Sequence, residues 1–175
     1  GFGYSTLNRF DPSLLPALSD TIIYIKIVES GILGLEIDQY GRSSRIFIPY
    51  LAHLVYLSLP DLGSFSKVFF SLLIVNSFFT SLTAVLFFHL SLEILNSNKI
   101  ALMTSFIFLF NWVIPNVYLV GLVDASHGFF FSALLYCLLF KKLKWIPLIA
   151  ILGTANKETF LPLGSIFFFG WIATS

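Results

Sequence analysis

Gly128-Phe-Phe-Phe-Ser-Ala-Leu-Leu-Tyr-Cys-Leu-Leu-Phe140 is followed by Lys141-Lys-Leu-Lys144 and then by Trp145-Ile-Pro-Leu-Ile-Ala-Ile-Leu-Gly-Thr-Ala-Asn156. Two uncharged apolar runs flank a short turn with three lysines in four residues. Basic residues in short loops are retained on the cytoplasmic side of a membrane. With this turn inside, the preceding Asp124 and His127 fall outside. The next polar break, Asn156-Lys157-Glu158, falls outside with them. The ionisable groups then gather at one membrane face.

Composition supports a membrane reading. The chain is 57% hydrophobic and 11% charged, with a mean hydropathy of +0.90 and 21 phenylalanines. A soluble domain carries roughly 25% charged residues. The backbone of a chain in lipid must satisfy its own hydrogen bonds, which favours helices. Barrel strands alternate over ~10 residues, and these runs do not alternate. The expected class is an all-α polytopic membrane protein of the plasma or inner membrane. It has about five transmembrane or partly spanning helices and an outer loop with short interfacial helices. A net charge of +1 provides no basic field for nucleic acid. The chain begins with Gly and stops at Ser175 directly after an apolar run, so the expectation is a fragment of a longer protein.

Residues 1–65 read as an extracytoplasmic loop and 66–175 as the transmembrane region. In the loop, Ser19 to Ser30 reads as a short interfacial helix that Gly31 can end. Ile46 to Leu59 is 14 residues long, too few for the ~20 of a span, and reads as interfacial or re-entrant. Val68 to Leu95 is long enough to cross. Asn96 to Lys99 is a tight turn, and Ile100 to Ile114 or beyond returns, with Trp112 and Tyr118 as interfacial aromatics. Gly128 to Phe140 descends to the lysines, with its start reaching up to Ala125. Trp145 to Ala155 and Thr159 to Ala173 are short for full spans. Short, interrupted helices usually line a cavity.

Each candidate residue has a plain reading beside a chemical one. Asp20 caps a helix dipole or serves as a general base, with Tyr24 one turn on. Glu36 and Asp38 are a solvated acidic stretch or two oxygens for a divalent cation; a cation is compatible but not required. Arg42 and Arg45 anchor the interface, or pair with these acids or hold an anionic headgroup or phosphate. Asp124 caps a helix, or its i, i+3 spacing to His127 suits a paired acid and imidazole or two metal ligands. A charged pair such as Lys157-Glu158 between short apolar helices is costly at membrane depth and defaults to function. Asn76, His89 and Asn111 suit inter-helix hydrogen bonds, and Cys137 suits packing.

The order of these features resembles the GT-C superfamily of membrane glycosyltransferases, such as protein mannosyltransferases and aminoarabinose transferases. Ser19-Asp20-Thr-Ile-Ile-Tyr24 is similar to the acid-before-tyrosine of their first outer loop. Arg45-Ile-Phe-Ile-Pro49 is similar to the Arg-then-Pro stretch that follows. Asp124-Ala-Ser-His127 through Lys141-Lys142, and Gly153-Thr-Ala-Asn-Lys157-Glu158, are similar to later elements. The second acid common beside Asp20 is missing here. The resemblance implies transfer of a sugar from a polyprenyl-phosphate donor at the outer face. Asp20 is then the base and Lys157 the partner of the carrier phosphate, with Glu158, Tyr24, Arg42, Arg45, Asp124 and His127 around the substrate. Two other readings stand beside it: a transporter or lipid translocase, and a non-catalytic membrane subunit.

Overall fold

The computed structural model describes residues 19–31, 45–61, 66–111, 113–114 and 124–174. Every regular element among them is helical. The helices are α1 (Ser19–Ser30), α2 (Phe47–Ser58), α3 (Lys67–Leu95), α4 (Asn98–Leu109), α5 (Asp124–Leu139), α6 (Ile146–Asn156) and α7 (Phe160–Thr174).

The longest helix, α3, has local causes at both ends. The Ser66 hydroxyl accepts from the Phe69 N–H at 3.4 Å, the usual N-cap contact. Asn96 closes the helix in the left-handed conformation (φ 48°), which asparagine tolerates better than most residues. At 29 residues α3 is about 44 Å long, more than the ~30 Å hydrocarbon core of a bilayer. It is the one helix among the described residues long and apolar enough to cross a membrane.

α2 runs antiparallel along the first half of α3. Phe47 meets Phe79 at 6.1 Å, and the Lys67 ammonium lies 4.5 Å from the centre of the Tyr56 ring. α1 joins them through His53, whose Nδ1 is 2.8 Å from the Val28 carbonyl. Gly31 follows α1 at φ +65°, and a Cβ there would sit 3.0 Å from His53 Nε2. α5 packs on α3 through rings: Phe79 meets Phe129 at 5.4 Å and Phe130 at 6.0 Å. Phe131 packs elsewhere, on Phe160 at 4.8 Å and Phe167 at 5.9 Å. One core takes Tyr24, Val28, Ile48 and Ala52 from the first region and Leu72, Phe79, Phe130 and Phe160 from the second.

Most expected helices are present within a residue or two. α2 is 12 residues, about 18 Å. The return helix after Lys99 differs: α4 ends at Leu109, short of Ile114. The Asn111 side chain takes the Val113 N–H at 2.9 Å. This local turn competes with the helix, and the Asn111 bond is thus local, not inter-helical. Trp112 and Tyr118 lie outside the described residues.

After α5 the chain turns at the lysines in a Schellman motif. Lys142 N–H donates to the Cys137 carbonyl at 2.8 Å and Lys141 N–H to that of Leu138 at 3.2 Å. A 3-10 turn at Leu143–Trp145 then starts α6, which returns antiparallel to α5.

Candidate functional site

The return of α6 brings its C-terminal end beside the start of α5, and there the charged side chains meet. Lys157 Nζ donates to Asp124 Oδ1 at 2.8 Å. The two side chains are 23% and 30% exposed. Asp124 occupies the first turn of α5, where a carboxylate also offsets the helix dipole. It pairs with Lys157 rather than with His127, its expected i, i+3 partner.

Glu158 reaches a different segment. Arg45, just before α2, donates from Nε to Glu158 Oε2 at 2.9 Å and from Nη2 to Oε1. This is the two-point geometry in which a guanidinium best holds a carboxylate. Arg45 Nη1 also lies 3.5 Å from the Tyr24 hydroxyl, and the Tyr24 side chain is buried in α1. The Arg45 hydrogen bonds hold the Glu158 carboxyl at about 2, well below its ordinary 4.5. Glu158 in turn pushes the guanidinium further above its ordinary range.

His127 sits one turn into α5 beneath these pairs. Its ring stands edge-on to Phe131 at 4.8 Å and Phe160 at 6.2 Å. Its Nδ1 is buried and finds no hydrogen-bond partner among the described residues. Next to it, Ser126 Oγ donates to Asn156 Oδ1 at 2.7 Å, and both residues are fully buried. This bond ties α5 to α6 directly under the ion pairs. Phe160 packs so closely on α6 that a Cβ at Gly153 would be 2.5 Å from its ring.

Five of the expected residues around the substrate thus fall in two neighbouring hydrogen-bonded groups, Lys157 with Asp124 and Arg45 with Glu158 and Tyr24, with His127 adjoining. Asp20 lies in the first turn of α1, one turn before Tyr24; its side chain is outside the described residues. Arg42, Glu36 and Asp38 also lie outside them. No group of three or more His, Cys, Asp or Glu among the described residues could hold a metal ion. Sequence reasoning missed Ser126, Asn156 and the Gly153–Phe160 contact. Asn156 carried a signal, since it opens the polar break, and so did Gly153, four residues before Lys157; Ser126 carried none.

What the cluster offers is cationic donors next to a wall of aromatic rings. The Lys157 ammonium has three donors, and Asp124 takes one. No protein-family model, curated protein or solved structure matches the chain.

Proposed function

We propose that this chain is part of a polytopic membrane glycosyltransferase that moves a sugar from a polyprenyl-phosphate donor to an acceptor at the outer face. The observation that carries the reading is the convergence of Lys157, Asp124, Arg45, Glu158 and Tyr24 at one end of α5. The lysine turn lies at the other end, near Glu93 at the close of α3. The membrane half of the reading draws on α3 and on side chains left open to the surroundings. Phe110 is 81% exposed, Ile166 68% and Ile107 67%, a pattern suited to lipid.

In the proposed reaction, Lys157 offsets the charge on the leaving polyprenyl phosphate. The acceptor oxygen bonds to the anomeric carbon as the bond from that carbon to the phosphate oxygen breaks. Asp20 takes the acceptor proton as general base. Arg45 and Glu158 hold the turn that presents Lys157, and Tyr24 anchors Arg45 to α1.

A second reading has its own observation: each described cation of the cluster already holds a carboxylate. In that case the cluster is a brace of a non-catalytic subunit. One titration separates the two. Polyprenyl monophosphate is titrated against the full-length protein and its Lys157→Ala and Lys157→Arg variants. The transferase reading expects at least about a tenfold loss for Ala, consistent with a lost charge-assisted bond of ~1.5–3 kcal/mol, and partial retention for Arg. Unchanged affinity with lowered stability establishes the brace.

A further inference from the structure

Away from the charged cluster, α4 ends in a polar side chain that the fold leaves half used. Asn111 lies just past Leu109, the last residue of α4, and is exposed. Its Oδ1 accepts the Val113 N–H at 2.9 Å, and its Nδ2 donors meet no acceptor among the described residues. Around it the chain carries no charge from Ile100 to Ile114. One face of α4 is spent on α3. Ala101 is fully buried there, Phe108 meets Phe87 at 4.9 Å, and Ser105 Oγ donates to the Ala84 carbonyl at 2.8 Å. The opposite face, Met103, Phe106, Ile107 and Phe110, is open and leads up to Asn111.

Depth decides what the amide can meet. Only Asn96 and Ser97 separate α3 from α4, so α4 starts at the Lys99 side of the bundle. At 12 residues it rises about 18 Å, against ~30 Å of hydrocarbon. The Ser105–Ala84 bond places Ser105 about 16 Å from the end of α3, and Asn111 lies beyond it. In a bilayer crossed by α3, the turn at Asn111 therefore lies inside the hydrocarbon. Irregular backbone and an unanswered amide are tolerated at that depth only against protein or a water-filled cavity. Lipid suits Ile107 and Phe110 but offers no acceptor to Asn111. Water suits Asn111 but not a Phe110 ring that is 81% exposed.

We propose that this end of α4 pairs with the same end of α4 in a second copy of the chain. The proposal rests on the membrane half of the reading above, not on sugar transfer. Both copies share one topology, so their two-fold axis runs along the membrane normal. Such an axis places each residue opposite itself at its own depth. Asn111 is self-complementary there. Each Nδ2 donates to the partner's Oδ1, which has a second lone pair beyond the one given to Val113. Polar side chains of this kind join helices in membranes, and Phe110, Ile107 and Met103 pack across the same axis.

The test is disulfide cross-linking in native membranes, using the full-length protein with Cys137 and any other cysteine replaced by serine. Ile107→Cys is expected to give a dimer of twice the chain mass at least about tenfold faster than Ile166→Cys on α7, because a standing contact replaces random encounter. The two side chains are equally open, at 67% and 68%. Dilution in phosphatidylcholine vesicles, followed by energy transfer between labelled copies, measures the association itself. Asn111→Leu should weaken it about three- to thirtyfold, and Asn111→Gln, which keeps the amide, should restore part of that loss. Phe110→Ala leaves Asn111 and its bond to Val113 in place and should also weaken the pairing, so a folding defect at residue 111 does not decide the matter. Equal rates at residues 107 and 166 overturn the proposal, as does undiminished association in either Asn111→Leu or Phe110→Ala. A cross-linked product of any mass other than two copies overturns it by assigning the face to another protein. Alkaline carbonate extraction is run on the same membranes. Release of the protein removes the membrane premise together with the proposal, whereas retained protein without an Ile107→Cys dimer overturns the proposal alone. Lys157→Ala leaves the dimer unchanged, so the pairing and the transferase reading fail independently.

Discussion

Replacing Gly153 by alanine places a methyl group where the Phe160 ring already is. The new carbon would lie 2.5, 2.6 and 2.7 Å from three ring atoms. Non-bonded carbons settle at about 3.5–4.0 Å, so the overlap is about 1 Å. Phe160 has little room to retreat. It is 2% exposed, with Phe131 at 4.8 Å, Phe130 at 6.2 Å and His127 at 6.2 Å. Overpacking of this kind costs about 1–3 kcal/mol, and alanine returns ~1 kcal/mol of helix propensity. Gly170 supplies the control, because a Cβ there meets nothing within 4 Å. Gly170→Ala is expected to gain up to ~1 kcal/mol. The difference between the two variants isolates the collision, at about 1–3 kcal/mol against Gly153→Ala. Reversible unfolding by sodium dodecyl sulfate in mixed micelles, followed by circular dichroism, measures both. Equal effects, within ~0.3 kcal/mol, refute the close approach of α6 and α7 on which the Lys157-Glu158 turn depends.

Three further outcomes follow from the polar contacts and the strained turn. The Glu158 carboxyl is held at about 2 against an ordinary 4.5, so its stabilisation is complete above the higher value and disappears as pH falls through the lower. Its side chain is 46% exposed, which limits that contribution to about 1 kcal/mol; a wild-type acid limb identical to that of Glu158→Gln means no such bond. A double-mutant cycle of Asp124→Asn with Lys157→Met should return a coupling of ~0.5–2 kcal/mol, and zero coupling shows that the pair does not form. Lys141 holds φ +55°, so Lys141→Gly should stabilise the fold by about 1 kcal/mol in the same unfolding assay; a loss of stability shows that residue 141 is not left-handed.

The helices were legible because apolar runs bounded by Ser66, Asn96, the lysines and the Asn156–Glu158 break carry their own stop signals. α4 was the exception. Asn111 is polar enough to make its own turn, yet a single asparagine inside an apolar run reads equally well as an inter-helix contact. The charged members of the cluster were legible one by one, and their pairing was not. Topology put Asp124 and Lys157 on one face, and the antiparallel return of α6 makes them neighbours. Nothing in the sequence joins Arg45 to Glu158, because that choice depends on how α2 packs on α3 and α5 through Phe47, Phe79 and Phe130. Ser126 was invisible for the same reason: its bond to Asn156 exists only once the hairpin has closed.

The Arg45–Glu158 bond spans 113 residues, and that separation has a consequence in time. A ribosome adds about 5–20 residues per second, so Glu158 is made roughly 6–23 s after Arg45. For that interval the arginine must remain hydrated or borrow another anion. Lys157 follows Asp124 by 33 residues, about 2–7 s at the same rate. Lys157 and Glu158 are adjacent, so both pairs become possible together, and neither closes before this turn has left the ribosome. The cluster is completed from its C-terminal side, and truncation before residue 157 leaves Asp124 and Arg45 without these partners, whatever else of the chain has folded.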